Sequence, residues 1–406
     1  MGTGFKCRAY PDPEQAAVLN RTFGCVRLVW NKTLAERHRA YHTEGAKTSY
    51  KQTDTALTQW KKTDDLAFLS EVSSVPLQQT LRHQHAAYQN FFAKRAKYPR
   101  FKSRNHRQSA HYTRSAFRIR NGELFLAKTT TPLKFVWSFD NVDLATLNPT
   151  MIIVSRDPDG RYYITFAVDT DQPDPLPETG HAIGIDLGIK DFAITSDGDT
   201  VANPRHLKRK AANLARYQRR MTRCQRGSMN RRKAEAKVAR AHRKVRNARN
   251  DFLHRTSTNL VRRADTIVIE DLAVNNMVRN RKLARVISDA GWGEFRRQLE
   301  YKAERAGRTL VVIDRWYPSS KTCSACGHLL ARLDLGTRHW TCPGCRTRHD
   351  RDINAAKNIL AAGRAVAGEN PRDACGAGVS RQGSSLPQSA TKQELQGMSP
   401  VRIPRL

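Results

Sequence analysis

The sequence predicts a chain of several domains, in which a small β-barrel with an inserted helical lobe precedes an α/β domain interrupted by a four-cysteine insertion. Three observations support this prediction. The chain has 406 residues, which is more than one ordinary domain contains. Short alternating strand patterns flank a long helical segment in the N-terminal part. Further on, two CxxC pairs lie between an apolar strand and the final helix.

The predicted barrel comprises residues 1–12 and 107–172. Its first strand is Phe5–Tyr10. An Asn-Gly pair at 121–122 and an Asp-Gly pair at 159–160 each separate two short alternating runs, a pattern typical of β-hairpins. Together with the N-terminal strand, these hairpins predict a small barrel.

Residues 13–106 form the predicted helical lobe, which is inserted into the barrel. Asp12 supplies an N-cap, and Pro13 suits the first turn of the helix that follows. Apolar residues recur at four-residue spacing on one face of this helix: Val26, Trp30 and Leu34. A second helix is predicted over Pro76–Lys94, and a basic segment follows it.

After a linker rich in Pro and Asp at residues 173–180, strands alternate with helices. Apolar strands are predicted over Ala182–Asp186 and Thr266–Glu270, on either side of a basic helical stretch over Arg205–Asn250. The complete order is strand, hairpin, helix, strand, helix, strand, helix, which is that of an RNase H-like fold. The expected boundaries are 181–320 and 347–362 for this domain, 321–346 for the cysteine insertion, and 363–406 for a disordered tail.

Three acids stand where this fold would bring them together. Asp186 lies on the first strand of the domain, Glu270 ends a central strand, and Asp352 lies in the last helix. Taken singly, each is more often a turn, surface or capping residue, and Asp350 is the better candidate for a helix cap. As a set, their carboxylates suit two catalytic Mg²⁺ ions and in-line hydrolysis of a phosphodiester.

Four cysteines form two pairs with the spacing of a structural zinc site: Cys323, Cys326, Cys342 and Cys345. A redox pair is the weaker alternative. Because four thiolates fill a tetrahedral shell, no position remains for a reactive water, and one structural Zn²⁺ is expected. The remaining cysteines are scattered singly and indicate reduced packing residues of a cytosolic protein: Cys7, Cys25, Cys224 and Cys375.

The formal net charge of +34, from 71 Lys and Arg against 37 Asp and Glu, indicates a polyanionic partner. A short ribosomal or nucleoid coating protein is the alternative, but such proteins lack a buried acidic set. Arg205–Asn250 holds eighteen Lys or Arg against one Glu, so little pairing within the helix is available. Phosphate contacts are expected from Arg100, Lys102, Lys208, Arg219, Arg220, Arg231 and Arg232.

Membrane attachment is not expected. No apolar run is long enough to span a bilayer, and the N-terminus lacks the apolar core of a signal peptide. The expected location is the cytoplasm of a prokaryote, with association to the nucleoid when DNA is bound. No small-molecule substrate is expected.

Several segments occur in an order shared with a known family: residues 10–11 with Gln15, residues 23–25 with Arg27 and Asn31, then 99–102, 184–188, 269–272, 288–299, 317–323 and 350–356. Over nearly all of residues 4–362, the chain therefore resembles TnpB, the RNA-guided nuclease of bacterial and archaeal insertion sequences. This family is related to the compact type V CRISPR effectors.

The resemblance implies a bilobed protein whose RuvC nuclease is split by a zinc ribbon. It also implies a guide RNA from the transposon end and cleavage of double-stranded DNA beside a short motif, with guide pairing reading the sequence. Asp186, Glu270 and Asp352 would be the catalytic acids, and the four cysteines the zinc ligands. Tyr50 and Gln78 fall where related proteins contact the flanking motif, whereas Ser74 stands where a close relative has Lys.

The sequence thus predicts a magnesium-dependent, RNA-guided DNA endonuclease, with one protein per guide RNA and one site that cuts both strands in turn. Two alternatives remain open. One is an unguided RuvC-like nuclease of branched DNA, and the other is a non-catalytic RNA-guided DNA binder that regulates transposition or transcription. The presence of all three acids argues against a purely regulatory role.

Overall fold

The structure is a computed structural model that describes residues 2–140, 142–144, 146–170, 174–334 and 336–368. Its main elements are two five-stranded sheets, one in the N-terminal and one in the C-terminal part of the chain, and two further hairpins complete the described strands. Within these ranges, no helix combines the length and apolarity needed to cross a membrane.

The N-terminal sheet is antiparallel and pairs the first strand with strands from beyond the helical insertion. The strands of this part are β1 (Gly2–Tyr10), β2 (Gln108–Thr113), β3 (Phe117–Arg120), β4 (Glu123–Leu126), β5 (Lys134–Val136), β6 (Met151–Arg156) and β7 (Tyr162–Asp169). The sheet has the order β2-β6-β7-β1-β5, so β1 pairs with both β5 and β7.

The predicted barrel is not closed by hydrogen bonds among the described residues. The edge strands β2 and β5 do not pair with each other, and β3 and β4 form a separate hairpin instead of joining the sheet. This hairpin has the predicted turn, with φ of 52° at Asn121 and 74° at Gly122. Leu124 and Leu126 bury its apolar face in the same core as Ile152 of the sheet. The hairpin therefore covers a face of an open sheet.

Three helices and a 3₁₀ segment form the insertion between β1 and β2: α1 (Pro13–Glu44), α2 (Tyr50–Trp60), the 3₁₀ segment (Asp64–Ser70) and α3 (Ser74–Phe92). The predicted cap of α1 is confirmed, because the Asp12 carboxylate accepts the Gln15 N–H at 2.8 Å and the Gln15 side chain accepts the Asp12 N–H at 3.1 Å. The second predicted helix is α3, which begins and ends two residues earlier than expected.

The C-terminal sheet mixes parallel and antiparallel strands. They are β8 (Ala182–Leu187), β9 (Asp191–Thr195), β10 (Thr200–Ala202), β11 (Thr266–Glu270) and β12 (Thr309–Ile313), in the order β10-β9-β8-β11-β12. β8, β11 and β12 are parallel neighbours, while β9 is antiparallel to both β8 and β10. The parallel strands are apolar on both faces, which is what burial under helices requires.

Six helices accompany this sheet: α4 (His206–Arg223), α5 (Met229–Arg263), α6 (Val274–Met277), α7 (Ala284–Ala290), α8 (Trp292–Arg305) and α9 (Arg351–Gly368). The predicted basic stretch is thus two helices. The chain turns between Cys224 and Ser228, and the Arg231 guanidinium donates to the carbonyl oxygens of Met221 at 3.1 Å and Cys224 at 3.3 Å. Arg231 therefore closes this turn and is not a free phosphate contact.

Helix α9 lies unusually close to the C-terminal sheet because a glycine stands on each surface. A Cβ atom at Gly184 of β8 would lie 2.2 Å from the carbonyl oxygen of Ala356, and one at Gly363 of α9 would lie 2.4 Å from Val268.

The structure corrects the predicted start of the tail at residue 363. Residues 363–368 continue α9, and the rest of the predicted tail lies outside the described residues.

The two sheet-containing parts are joined by ion pairs of two buried aspartates, which the sequence did not reveal. Asp159, in the β6–β7 turn, pairs with Arg243 of α5, and both side chains are almost fully buried. Its neighbour Asp157 accepts from Arg246 at 2.6 Å. In the predicted linker, the backbone N–H groups of residues 179 and 180 bond to the Asp265 carboxylate.

Candidate active site and cysteine cluster

The three predicted acids come from three elements that meet at one end of the C-terminal sheet. Ile185 of β8 and Ile269 of β11 are register partners in a parallel pair, so Asp186 and Glu270 follow them on adjacent strands. Adjacent strands lie about 4.8 Å apart. Asp352 lies in the first turn of α9, and α9 packs directly on β8 and β11. The fold therefore brings these acids close to one another.

The electrostatics of Asp186 reflect this convergence. Burial, together with the charges of Glu270 and Asp352, raises the pKa of Asp186 to about 7, while Arg351 acts in the opposite direction. Burial also raises the pKa of Glu270. Like charges that oppose one another's ionisation are a common property of functional sites, because a bound cation relieves the repulsion.

Each of the other two acids has a defined partner. Ser319 donates its hydroxyl proton to Glu270 Oε1 at 2.6 Å, and Arg338 donates to Asp352 Oδ2 at 3.0 Å. Asp350 caps α9, as predicted, because its Oδ1 accepts the N–H groups of Asp352 and Ile353, each at 3.0 Å. The capping role thus falls to Asp350, as expected, and Asp352 is not used as the cap.

The three carboxylates suit a hard divalent cation by their chemistry. Their ligand atoms lie farther apart than those of the cysteines. Among the described residues, the four cysteines are the one group of three or more potential ligands whose ligand atoms all lie within 4.8 Å of one another. Glu270 and Asp352 direct an oxygen to Ser319 and to Arg338 instead. Arg338 contacts only Oδ2 of Asp352, so Oδ1 is the oxygen that this ion pair leaves for a cation.

The four cysteines have the geometry of a tetrahedral metal site. The Sγ atoms of Cys323 and Cys345 are 3.6 Å apart, and those of Cys326 and Cys342 are also 3.6 Å apart. Zinc–thiolate bonds of about 2.3 Å in a tetrahedron place sulfur atoms about 3.8 Å apart. None of the four is in a disulfide. The residues present therefore fit one zinc ion.

The cysteine segment, including hairpin strands β13 (His339–Thr341) and β14 (Arg348–Asp350), extends four residues past its predicted end at 346. His349 on β14 is buried, its ring contacts the Trp340 ring at a tilt of 41°, and its Nε2 lies 3.0 Å from Cys323 Sγ. An N–H group at this position stabilises a thiolate ligand.

Two asparagines tie the cysteine segment to the helix that carries Asp352. Asn354 Nδ2 donates to the carbonyl oxygen of Thr322 at 2.7 Å, and its Oδ1 accepts the N–H of Ser324 at 2.9 Å. Asn358, one turn later, donates to the carbonyl oxygens of Ser319 and Thr322. The first CxxC pair and the start of α9 are therefore held together by side-chain hydrogen bonds.

The predicted phosphate contacts divide into exposed and engaged residues. Lys208, Arg219 and Arg220 on α4 and Arg232 on α5 are exposed. A groove between these two helices is lined mainly by further basic residues: Lys210, Lys237, Arg240 and Lys244, with Asn213 and Tyr217. The hairpin of α4 and α5 thus presents a basic surface.

In the helical insertion, Tyr50, Gln78 and Ser74 lie on helices, whereas Arg100 and Lys102 lie in the segment between α3 and β2. Tyr50 begins α2 and is partly buried, with its hydroxyl 3.4 Å from Arg82 Nε. Gln78 is partly buried on α3, and exposed Ser74 accepts from Lys61 at 3.0 Å. Arg100 is exposed, whereas the Lys102 ammonium lies 4.1 Å from the centre of the Trp30 ring.

Sequence reasoning missed the residues that support the acids and the cysteines. Ser319 and Asn354 lie inside segments shared with the TnpB family, but the sequence alone gives neither of them a role. Arg338 and His349 lie beside the second CxxC pair, where spacing alone gives no signal. Among these residues, only Asn354 and Asn358 form a pattern visible in the sequence, because a spacing of four residues places both on one face of the predicted helix.

Three family models match the chain. One described as “Probable transposase” matches residues 165–281, and one described as “Cas12f1-like, TNB domain” matches residues 292–359. The first range contains Asp186 and Glu270, and the second contains Asp352 and the cysteines. A “Helix-turn-helix domain” model matches residues 1–46, although over 2–44 the structure has β1 and one continuous helix.

Two relatives match over nearly their full length. A protein of Streptomyces pristinaespiralis named RNA-guided DNA endonuclease is 53% identical, over 99% of this chain and 98% of its own. The RNA-guided DNA endonuclease InsQ of Escherichia coli (strain K12) is 31% identical, over 96% and 97%. A chain of the cryo-EM structure of the Cas12f1-sgRNA-target DNA complex covers 86% of this chain, and 83% of its own length, with a TM-score of 0.54 at 15% identity, so the two share a fold.

Proposed function

Because this chain belongs to the TnpB family of RNA-guided DNA endonucleases, we propose that it hydrolyses double-stranded DNA at a site formed by Asp186, Glu270 and Asp352. The guide is an RNA derived from the transposon end, and the cut lies beside a short flanking motif. The observation that carries the site is the convergence of these three acids from β8, β11 and α9, with the pKa of Asp186 raised to about 7.

The three carboxylates would hold two Mg²⁺ ions. Bound there, these ions supply the activation of a water on one side of the phosphodiester and the stabilisation of the leaving oxygen on the other. The protein's own residues fix the ligands. Ser319 holds one oxygen of Glu270, and the Asp350 cap fixes the first turn of α9 from which Asp352 projects. Arg338 holds Oδ2 of Asp352 and so orients its carboxylate.

The architecture supports this chemistry. We assign the mixed sheet β10-β9-β8-β11-β12 with α9 to an RNase H-like fold of the RuvC type, and the two sheet-containing parts to two lobes. The order of elements and the fold shared with the Cas12f1 chain support both assignments. The exposed basic surface of α4 and α5 suits the phosphate backbone of a guide–target heteroduplex, which would be recognised by shape and charge.

The cysteine cluster holds one structural Zn²⁺ in this proposal. Its four thiolates complete the coordination shell, and Asn354 and Asn358 connect it to α9. The metal therefore stabilises the segment that carries Asp352 without taking part in hydrolysis. Its role is to keep the end of the sheet and the start of the last helix in one arrangement.

The test begins with expression of the chain together with its native flanking DNA and sequencing of the RNA that copurifies through a high-salt wash. A discrete RNA that runs into the flank is expected, and the complex should cut DNA that matches it. Asp186→Ala should abolish cleavage and leave RNA binding intact. Asp251→Ala, which removes an exposed carboxylate of α5, is the matched control.

Two other outcomes would identify the alternatives. Cleavage of synthetic DNA junctions without RNA would indicate an unguided nuclease of branched DNA. Guided DNA binding that is unchanged by Asp186→Ala, with no cleavage by the unaltered protein, would indicate a regulator. Either result would overturn the proposed function.

A further inference from the structure

Trp316 is exposed beside the proposed catalytic site, in contrast to every other tryptophan of the chain. Its exposed fraction is 84%, whereas Trp30, Trp292 and Trp340 are at most 8% exposed, and Trp60 and Trp137 are partly buried against the N-terminal core. Water contact over a whole indole ring is unfavourable, so an exposed tryptophan is informative when its surroundings hold it in place.

The loop that carries Trp316 is held at both ends. Arg315 forms an ion pair with Asp271, and the backbone N–H of Trp316 donates to Asp314 Oδ1 at 2.7 Å. On the other side, Tyr317 packs against the buried cluster of Val268 and Ile359. Trp316 therefore projects from an anchored backbone between two residues that are engaged with the fold.

The residues at both ends of this loop, Ile313 and Ser319, contact Glu270. Ile313, the last residue of β12, is the register partner of Glu270, and Ser319 donates to the Glu270 carboxylate at 2.6 Å. Trp316 is three residues from Ile313, so their Cα atoms are at most about 11 Å apart. Since adjacent strands lie about 4.8 Å apart, the Cα atoms of Trp316 and Glu270 are at most about 16 Å apart.

We infer that Trp316 is a stacking platform for an unpaired base of the DNA strand that enters the catalytic site. This inference rests on the proposed function. An indole can stack on any base, but only on one whose face is free, so the strand at this site must be single-stranded or locally splayed. Two guanidinium groups favour its phosphates: Arg315 is the chain neighbour of Trp316, Arg338 pairs with Asp352, and both are more than 40% exposed.

The test compares Trp316→Ala and Trp316→Phe with Leu329→Ala, which removes an exposed apolar side chain from the cysteine segment. Single-turnover cleavage of guide-matched DNA is measured for each protein–RNA complex. Stacking on one base predicts a loss of about 5- to 150-fold for Trp316→Ala, with most of the rate retained by Trp316→Phe and all of it by Leu329→Ala. Equal zinc content and thermal midpoint exclude misfolding as the cause.

A binding measurement separates this inference from the proposed function. In the Asp186→Ala background, oligothymidine should quench the indole fluorescence of the protein–RNA complex, and Trp316→Ala should abolish that quenching. Unchanged quenching or an unchanged cleavage rate in Trp316→Ala would refute the stacking role alone. Cleavage by Asp186→Ala at the unaltered rate would refute the proposed site, whatever Trp316 does.

Discussion

Replacing Asp186 by asparagine should stabilise the metal-free protein at alkaline pH and have little effect at acidic pH. In the folded chain, burial and the charges of Glu270 and Asp352 disfavour the ionised form of Asp186. An asparagine has nearly the same shape and no charge, so it removes this repulsion without opening a cavity. The substitution therefore isolates the electrostatic cost of assembling the site.

The magnitude follows from the change in pKa. Folding raises the pKa of Asp186 from 3.8 to about 7. A shift of about three units corresponds to about 4 kcal/mol. Because the folded pKa of an acid is raised, the cost is absent below the unfolded value, grows between about pH 4 and pH 7, and is complete above pH 7. The advantage of Asp186→Asn should follow the same curve.

Thermal unfolding of zinc-loaded, magnesium-free protein at pH 5 and pH 8 measures this difference, and amide exchange of β8 localises it. We expect a higher midpoint for Asp186→Asn at pH 8, a smaller gain at pH 5, and no pH-dependent gain for Asp334→Asn, whose carboxylate is 68% exposed. Added Mg²⁺ should stabilise the unaltered protein more than the variant. Equal midpoints at pH 8, or the same gain at both pH values, would refute the reasoning.

Three further substitutions test the supporting structure. His349→Ala should weaken zinc affinity by about 10- to 100-fold in a chelator competition, because it removes the imidazole beside Cys323; unchanged affinity would exclude that role. Gly363→Ala should lower the free energy of unfolding by about 1–3 kcal/mol through its clash with Val268, whereas Gly293→Ala, with nothing within 4 Å, should not. Asp159→Ala should cost about 3 kcal/mol or more by leaving Arg243 buried and unpaired, and an unchanged denaturation midpoint would contradict this.

The parts of the fold that the sequence predicted well are those with local signals. The Asp12 cap, the turn at 121–122 and the two apolar strands that end near Asp186 and Glu270 each depend on a few consecutive residues. Cysteine spacing likewise fixes a cluster, because two short loops can close around one metal whatever the rest of the chain does.

The parts that sequence could not supply depend on contacts between distant residues. Whether β2 and β5 meet depends on residues far apart in the chain, and among the described residues the predicted closure is absent although the strands themselves form. The position of the turn after Arg223 is stabilised by Arg231 reaching back to the end of α4, which composition cannot reveal. The ion pair between Asp159 and Arg243 spans 84 residues and has no local pattern.

The last helix shows why the acidic and cysteine motifs occur side by side in the chain. Asp350, Asp352 and Asn354 are alternate residues, yet the first caps α9, the second projects toward Asp186, and the third bonds to the first CxxC pair. Glycines at 184 and 363 let this helix approach the sheet closely, which limits how far Asp352 can move. The cysteine segment, which is hydrogen-bonded to Asn354 in the same helix, adds a second constraint. The proposed catalytic geometry is therefore set by the packing of one helix against both the sheet and the cysteine segment.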